Sequence, residues 1–173
     1  MSKYRSFDSI TKDILANEKF QAITNESHHG ITRMEHSLRV AHGVYDMAIK
    51  HNLDYVSATR AALVHDFFTN AEFITNHGLI KGVVHPDIAL ANAKGEFEIN
   101  EIEANAIEAH MFPLSVVTPK SKEAWTLTFV DKKVAIYEYS MNKFNPKRLT
   151  HKVSYGLSMA LVFAFNLITM GRR

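Results

Sequence analysis

Six residues spread through the middle of the chain are of the types that hold cations: His36, the adjacent pair His65 and Asp66, His85, His110 and Asp131. Imidazole nitrogens and carboxylate oxygens together suit a divalent metal ion, and an unpaired carboxylate is costly to bury in any other state. The pair poses the question most sharply. In "RAALVHDFF", residues 60–68, a histidine and an aspartate close a run that otherwise reads as buried helix. They read either as a solvated helix end before "TN" or as part of a metal site. The chain has ten histidines and no cysteine. Disulfides, thiolate zinc sites and a cysteine nucleophile are thereby excluded, so nitrogen and oxygen must supply any metal ligands.

The elements that must position these residues are helices. Apolar residues recur at helical spacing through most of the chain, and no segment alternates with period two for long enough to read as a strand. The pattern predicts a first helix in "FDSITKDILAN", a second from Arg33 to about Lys50, and a third in "DYVSATRAALVHDFF" capped by Asp54. "TNAEFITNHGLIKGVV" reads as an irregular loop. The next helix should begin at Pro86, a residue favoured in the first helical position, with His85 just before it. "NEIEANAIEAHM" follows with Asn100 as its cap, and a long helix starts near Ser121. His36 and His110 then fall within helices beside apolar neighbours, and Asp131 follows the core-like run "LTFV". Ligands from separate helices of a bundle can converge on its interior.

A length of 173 residues predicts one domain, 1–173, with a single substantial core. Twenty basic residues against 18 acidic ones leave a formal charge of +2, which predicts neither a nucleic-acid nor a membrane partner. The N-terminus carries scattered charges and no apolar leader, so the expected location is the cytoplasm. The stretch Tyr155–Met170 is nearly all apolar, but its 16 residues fall short of the roughly 20 that a spanning helix needs. It reads as a buried last helix within about 150–170, with a homo-oligomer interface as the other expectation.

Taken in order, "MEHSLRVA", "AALVHDFF" and "TFVDKKVA" resemble the HD superfamily of metal-dependent phosphohydrolases: a histidine, an adjacent His-Asp pair, and a later aspartate on a long helix. The resemblance covers roughly residues 30–140 and implies an all-α HD-domain bundle of about six to seven helices. "HPDIALANA" and "NAIEAHMFP" place His85 and His110 where the two-metal branch carries extra histidines. The resemblance thus implies that His36, His65, Asp66 and Asp131 bind a first metal and that His85 and His110 bind a second. Asp66 would bridge the two and take part in activating water. The implied cofactors are two divalent metal ions, with iron, manganese, zinc or nickel favoured over magnesium by the histidines. The implied activity is hydrolysis of a phosphate ester or anhydride, with a nucleotide or related small molecule as substrate. "FFTN" after the pair and the methionine after His110 depart from the HD-GYP phosphodiesterase pattern, and "HDFF", "HMFP" and "VDKK" are closer to small stand-alone bacterial HD hydrolases.

Two other readings stand beside this one: a non-catalytic HD-like module that senses a nucleotide or metal, and a one-metal nucleotidase in which His85 and His110 merely line the pocket. Arg33, His77, Lys81 and Lys132 are candidate substrate contacts, since phosphate oxygens need cationic partners; each also reads as a solvated surface group. Trp125, Phe129 and Tyr137 are spaced as a core face of the long helix. The chain has no glycine-rich strand-to-helix nucleotide loop, GxSxG elbow or HExxH helix.

Overall fold

Free N–H groups at a helix start need acceptors, and this chain supplies a polar side chain at most of its starts. The computed structural model describes residues 4–28, 31–72 and 81–143. Among them run α1 (Phe7–Leu15), α2 (Glu18–Ala22) and a 3₁₀ turn (Ile23–Asn25), then a short antiparallel ribbon of β1 (Ser27–His28) and β2 (Ile31–Thr32). The ribbon leads into α3 (Arg33–Lys50), followed by α4 (Tyr55–Val64), α5 (Lys81–Glu96), α6 (Glu101–Ala109) and α7 (Lys122–Lys143). The fold is all-α. Ser6, Asn17 and Asp54 each accept a hydrogen bond from the backbone three residues on. Thr32 and Asn100 complete reciprocal capping boxes with Glu35 and Glu103. α3 ends where Asn52 takes a left-handed φ of 52°, and the Leu53 and Asn52 amides close back on the Ala48 and Ile49 carbonyls.

α4 is the centre of the packing, touching α1, α3, α5, α6 and α7. Its sequence explains why: Ala58, Ala61, Ala62, Leu63 and Val64 are all fully buried, so the helix is apolar around most of its circumference. The surrounding core is built from Ile14, Phe20, Val40, Val44, Ile107, Leu127 and Val130, with alanines at most of the remaining contacts. Small side chains let the helices approach closely. One close approach is between α3 and α7, where a Cβ on Gly43 would lie 2.8 Å from Val130 Cγ1. Gly43 sits two turns after His36, and Val130 immediately precedes Asp131, so this contact sets the separation of two candidate ligands. Gly43→Ala should therefore cost about 1–3 kcal/mol, because a β-branched valine has little freedom to yield. Thermal melts in the presence of chelator measure this cost apart from any metal effect.

The starts of α3, α4, α6 and α7 fall where the sequence predicts, but α4 stops at Val64 instead of running on through Phe68, and three further expectations need correction. α5 begins at Lys81, so Pro86 lies inside it and His85 is a helical residue. Pro86 leaves the Gly82 carbonyl without its intrahelical donor, yet the helix continues through it. The expected irregular loop is accordingly shorter, since residues 70–72 and 81–84 are helical. Trp125, Phe129 and Tyr137 are exposed, whereas Ala124, Leu127, Val130 and Asp131 face inward. Large aromatic size pointed to the wrong face of α7; the inner face carries Ala124, Leu127 and Val130 together with the buried polar groups of Asp131, Lys132 and Glu138. The stretch Tyr155–Met170 and its expected roles as core helix or oligomer interface lie outside the described residues. Among the described residues, no helix is long and apolar enough to cross a membrane.

Candidate metal centre

The six candidate ligands come from five places in the chain and meet in one buried cluster. His36 projects from the first turns of α3, and Asp131 from the middle of α7, with His36 Nε2 3.1 Å from Asp131 Oδ1. His65 and His110 are the residues that terminate α4 and α6. His110 was expected within its helix; its position at the end instead frees the ring to turn inward. Asp66 follows His65, and His85 reaches in from α5, with Nε2 3.3 Å from Asp66 Oδ1 and 2.9 Å from His110 Nε2. All but His85 are buried, and His85 is half-buried.

Two overlapping groups have ligand atoms within 4.8 Å of one another: His36, His65 and Asp131, and then His65, Asp66 and His110. His85 adds to the second through its contacts with Asp66 and His110. His65 is common to both groups, and Asp66 Oδ1 lies 3.8 Å from His110 Nε2.

The ring tautomers follow from the outer nitrogen of each histidine. His65 Nδ1–H donates to the Ala62 carbonyl at 2.7 Å, and His110 Nδ1–H donates to the Ile107 carbonyl at 2.6 Å. Both acceptors lie three residues back, an arrangement that a helix end provides. A carbonyl only accepts, so these Nδ1 atoms carry protons and each ring turns its Nε2 toward the cluster. His36 is held differently: its Nδ1 lies 2.8 Å from Oε2 of Glu138, a fully buried residue whose Oε1 accepts from Arg39 at 3.1 Å.

This donor set fits cations. His65 Nε2 is buried and has no hydrogen-bond partner, and it lies 3.5 Å from a carboxylate oxygen of Asp131. A lone pair facing a carboxylate repels it unless positive charge stands between them. A proton on His85 Nε2 would serve the His110 and Asp66 acceptors; for His65, either a proton on Nε2 or a cation between it and Asp131 relieves that repulsion. The electrostatics agree. Burial opposes the charged form of His36, but hydrogen bonds to Asp131 and Glu138 outweigh it and raise its pKa to about 10. Burial also tends to raise Asp131, yet the hydrogen bond with His36 and the closeness of His65 hold its carboxyl well below the ordinary range. His110 is pushed down to about 3 by burial and by neighbouring His65 and His85.

No family model, curated protein or solved structure matches the chain.

The cationic candidates divide. Arg33, read as a solvated group, is 4% exposed: its NH1 lies 3.7 Å from Asp66 Oδ2, and its guanidinium stacks 3.7 Å over the Phe68 ring. NH2 donates to Asn70 at 3.4 Å, while Nε is buried without a hydrogen-bond partner. Burial lowers the Arg33 pKa against the opposing pull of Asp66 and Glu26. Lys132 is likewise buried, and its ammonium donates to the His110 carbonyl at 2.6 Å. Lys132 therefore fixes the backbone of a candidate ligand, and the same helix that carries Asp131 holds His110 in place. His77 and the Lys81 side chain lie outside the described residues. Asn92 on α5 donates to the Phe67 carbonyl and to Glu72, tying the segment after Asp66 to the helix that carries His85.

Sequence reasoning missed Glu138 and Arg39. The available signal was periodicity: Glu138 follows Asp131 by two helical turns and so shares its face of α7.

Proposed function

We propose that this chain is a metal-dependent phosphohydrolase of the HD type, acting on a phosphate ester or anhydride of a nucleotide or related small molecule. The observation that carries the reading is the convergence of His36, His65, Asp66, His85, His110 and Asp131 with their Nε2 and carboxylate atoms turned into one buried cluster. The order of these residues along the chain, and their resemblance to the two-metal HD pattern, supply the reaction class.

In this reading His36, His65 and Asp131 would hold one divalent cation and Asp66, His85 and His110 the other, and the resemblance implies that Asp66 would serve both. Several imidazoles favour iron, manganese, zinc or nickel over magnesium, which prefers oxygen and water. Such a pair of cations supplies a water of lowered pKa and positive charge for the phosphoryl oxygens. The chain's own residues do the rest. Hydrogen bonds from Nδ1 to the Ala62 and Ile107 carbonyls keep the His65 and His110 lone pairs aimed inward. Arg33, buried beside Asp66, receives a phosphoryl oxygen; stacking on Phe68 orients its plane, and its unpartnered Nε gains an acceptor.

Elemental analysis of protein purified without added metal, followed by a hydrolysis assay against a panel of nucleotides and phosphate esters, tests the reading. The expected result is two transition-metal equivalents per chain and turnover that chelator abolishes. No bound metal, even after supplementation, overturns it.

The Arg33 role has its own test. Arg33→Met should raise KM by about 10- to 100-fold, the effect of a hydrogen bond to a charged group worth about 1.5–3 kcal/mol. Metal content should stay at the wild-type level. Unchanged KM with a well-folded variant would leave Arg33 as a counter-charge for Asp66 alone.

A further inference from the structure

The three histidines whose outer nitrogens have assigned partners are not held alike. His65 and His110 donate from Nδ1 to neutral backbone carbonyls, whereas His36 Nδ1 faces the Glu138 carboxylate at 2.8 Å. Glu138 is 1% exposed and uses both oxygens, one toward His36 and one toward Arg39. A buried carboxylate behind an imidazole fixes the ring's orientation and strengthens its inner nitrogen as a donor to a cation, more than a carbonyl does. Asp131, on the same face of α7, stands on the opposite side of the ring. The group that contains His36 therefore has two carboxylates acting on one imidazole. The second group has Asp66, but Arg33 stands 3.7 Å from that carboxylate and offsets part of its charge.

We infer that Glu138 is a positioning residue that makes the two cation sites unequal, so that the site of His36, His65 and Asp131 fills first and the site of Asp66, His85 and His110 fills second. This inference rests on the proposed two-cation function and adds an order of filling to it. Glu138 itself touches neither cation nor substrate; it acts through His36. Arg39 keeps the carboxylate paired from its outer side, where the arginine side chain is 46% exposed.

The test is a calorimetric titration of the full chain, stripped of metal, with Co²⁺, followed in parallel by the visible absorption of the bound ion. Wild type should show two steps of different affinity. Glu138→Gln, which keeps the volume and can still accept from Nδ1, should weaken the first step about 10- to 100-fold and leave the second unchanged. A merely structural role would weaken both steps together, because both sites share the same bundle. Arg39→Gln provides the opposite sign: freeing the carboxylate from its outer partner should leave the first step as tight as wild type or tighter. If the two steps respond equally to Glu138→Gln, or if Arg39→Gln weakens the first step as Glu138→Gln does, the positioning role is wrong. Wild-type protein that binds no Co²⁺ removes the proposed function itself, and the inference falls with it. Wild type that binds two Co²⁺, with Glu138→Gln indistinguishable from it, removes the Glu138 role alone.

Discussion

Asp66→Ala should abolish binding of at least one cation and lower hydrolysis by several orders of magnitude. Asp66 is 3% exposed, with Oδ1 between His85 and His110 and Oδ2 toward Arg33. Removing it takes away the carboxylate of the second group and leaves a buried guanidinium without its nearest counter-charge. The consequence for stability depends on metal. In the wild type, each cation present at a hundredfold its dissociation constant adds about 2.7 kcal/mol. That corresponds to about 5–10 °C in Tm for a chain of this size. The variant should lose at least one such increment, so its melt should respond less to chelator than the wild-type melt does. A helix-end role for Asp66 predicts otherwise: a loss of about 1 kcal/mol with or without chelator, and unchanged metal content. Four melts, two proteins each with metal and with chelator, separate the alternatives. A variant that keeps full occupancy would rule out Asp66 as a ligand.

His110→Ala should remove one cation and most turnover while the group of His36, His65 and Asp131 keeps the other. The two readings of the chemistry part here. If the protein were a one-metal nucleotidase with His85 and His110 lining the pocket, metal content would stay the same and only the substrate dependence would change. Truncating a fully buried ring also removes the donor to the Ile107 carbonyl, at a cost of about 1 kcal/mol in any metal state. The chelator arm of a melt isolates that cost. Inductively coupled plasma analysis of variant and wild type, loaded under the same conditions, then counts cations directly. One equivalent in the variant against two in the wild type supports the two-cation arrangement.

Much of this centre is legible in the sequence, and the reasons are local. Asp54 and Asn100 as caps and Arg33 as a first residue mark helix starts that the structure places at the expected residues, which fixes the phase of α3, α4 and α6. Once the phase is known, His36, His65 and His110 fall on inner faces or at inner ends. What is not legible depends on packing between helices. Glu138 looks like one more charge on the long, mixed sequence of α7, and only its contacts with His36 and Arg39 explain its burial. Lys132 and Arg33 read as solvated because most lysines and arginines are; the His110 carbonyl and the Asp66–Phe68 corner that hold them belong to other elements. Pro86 misleads for the converse reason. Proline commonly starts a helix, and here the helix extends back to Lys81 despite the missing hydrogen bond.

The ends of α4 and α6 have a further bearing on how the site would operate. The macrodipole of a helix gives its C-terminus a partial negative charge, and two such ends abut the cluster through His65 and His110. At the ligand atoms themselves Asp66 and Asp131 add negative charge to these ends, offset from the margin by Arg33, Arg39 and Lys132, the last bound to the His110 carbonyl at the end of α6. Such a field attracts divalent cations and repels phosphate. In the proposed reaction, an anionic substrate therefore cannot bind well until cations have reversed the sign of the site, which makes binding ordered, cation first and phosphate second. Millimolar inorganic phosphate should accordingly show measurable affinity for the metal-loaded protein and almost none for the stripped protein.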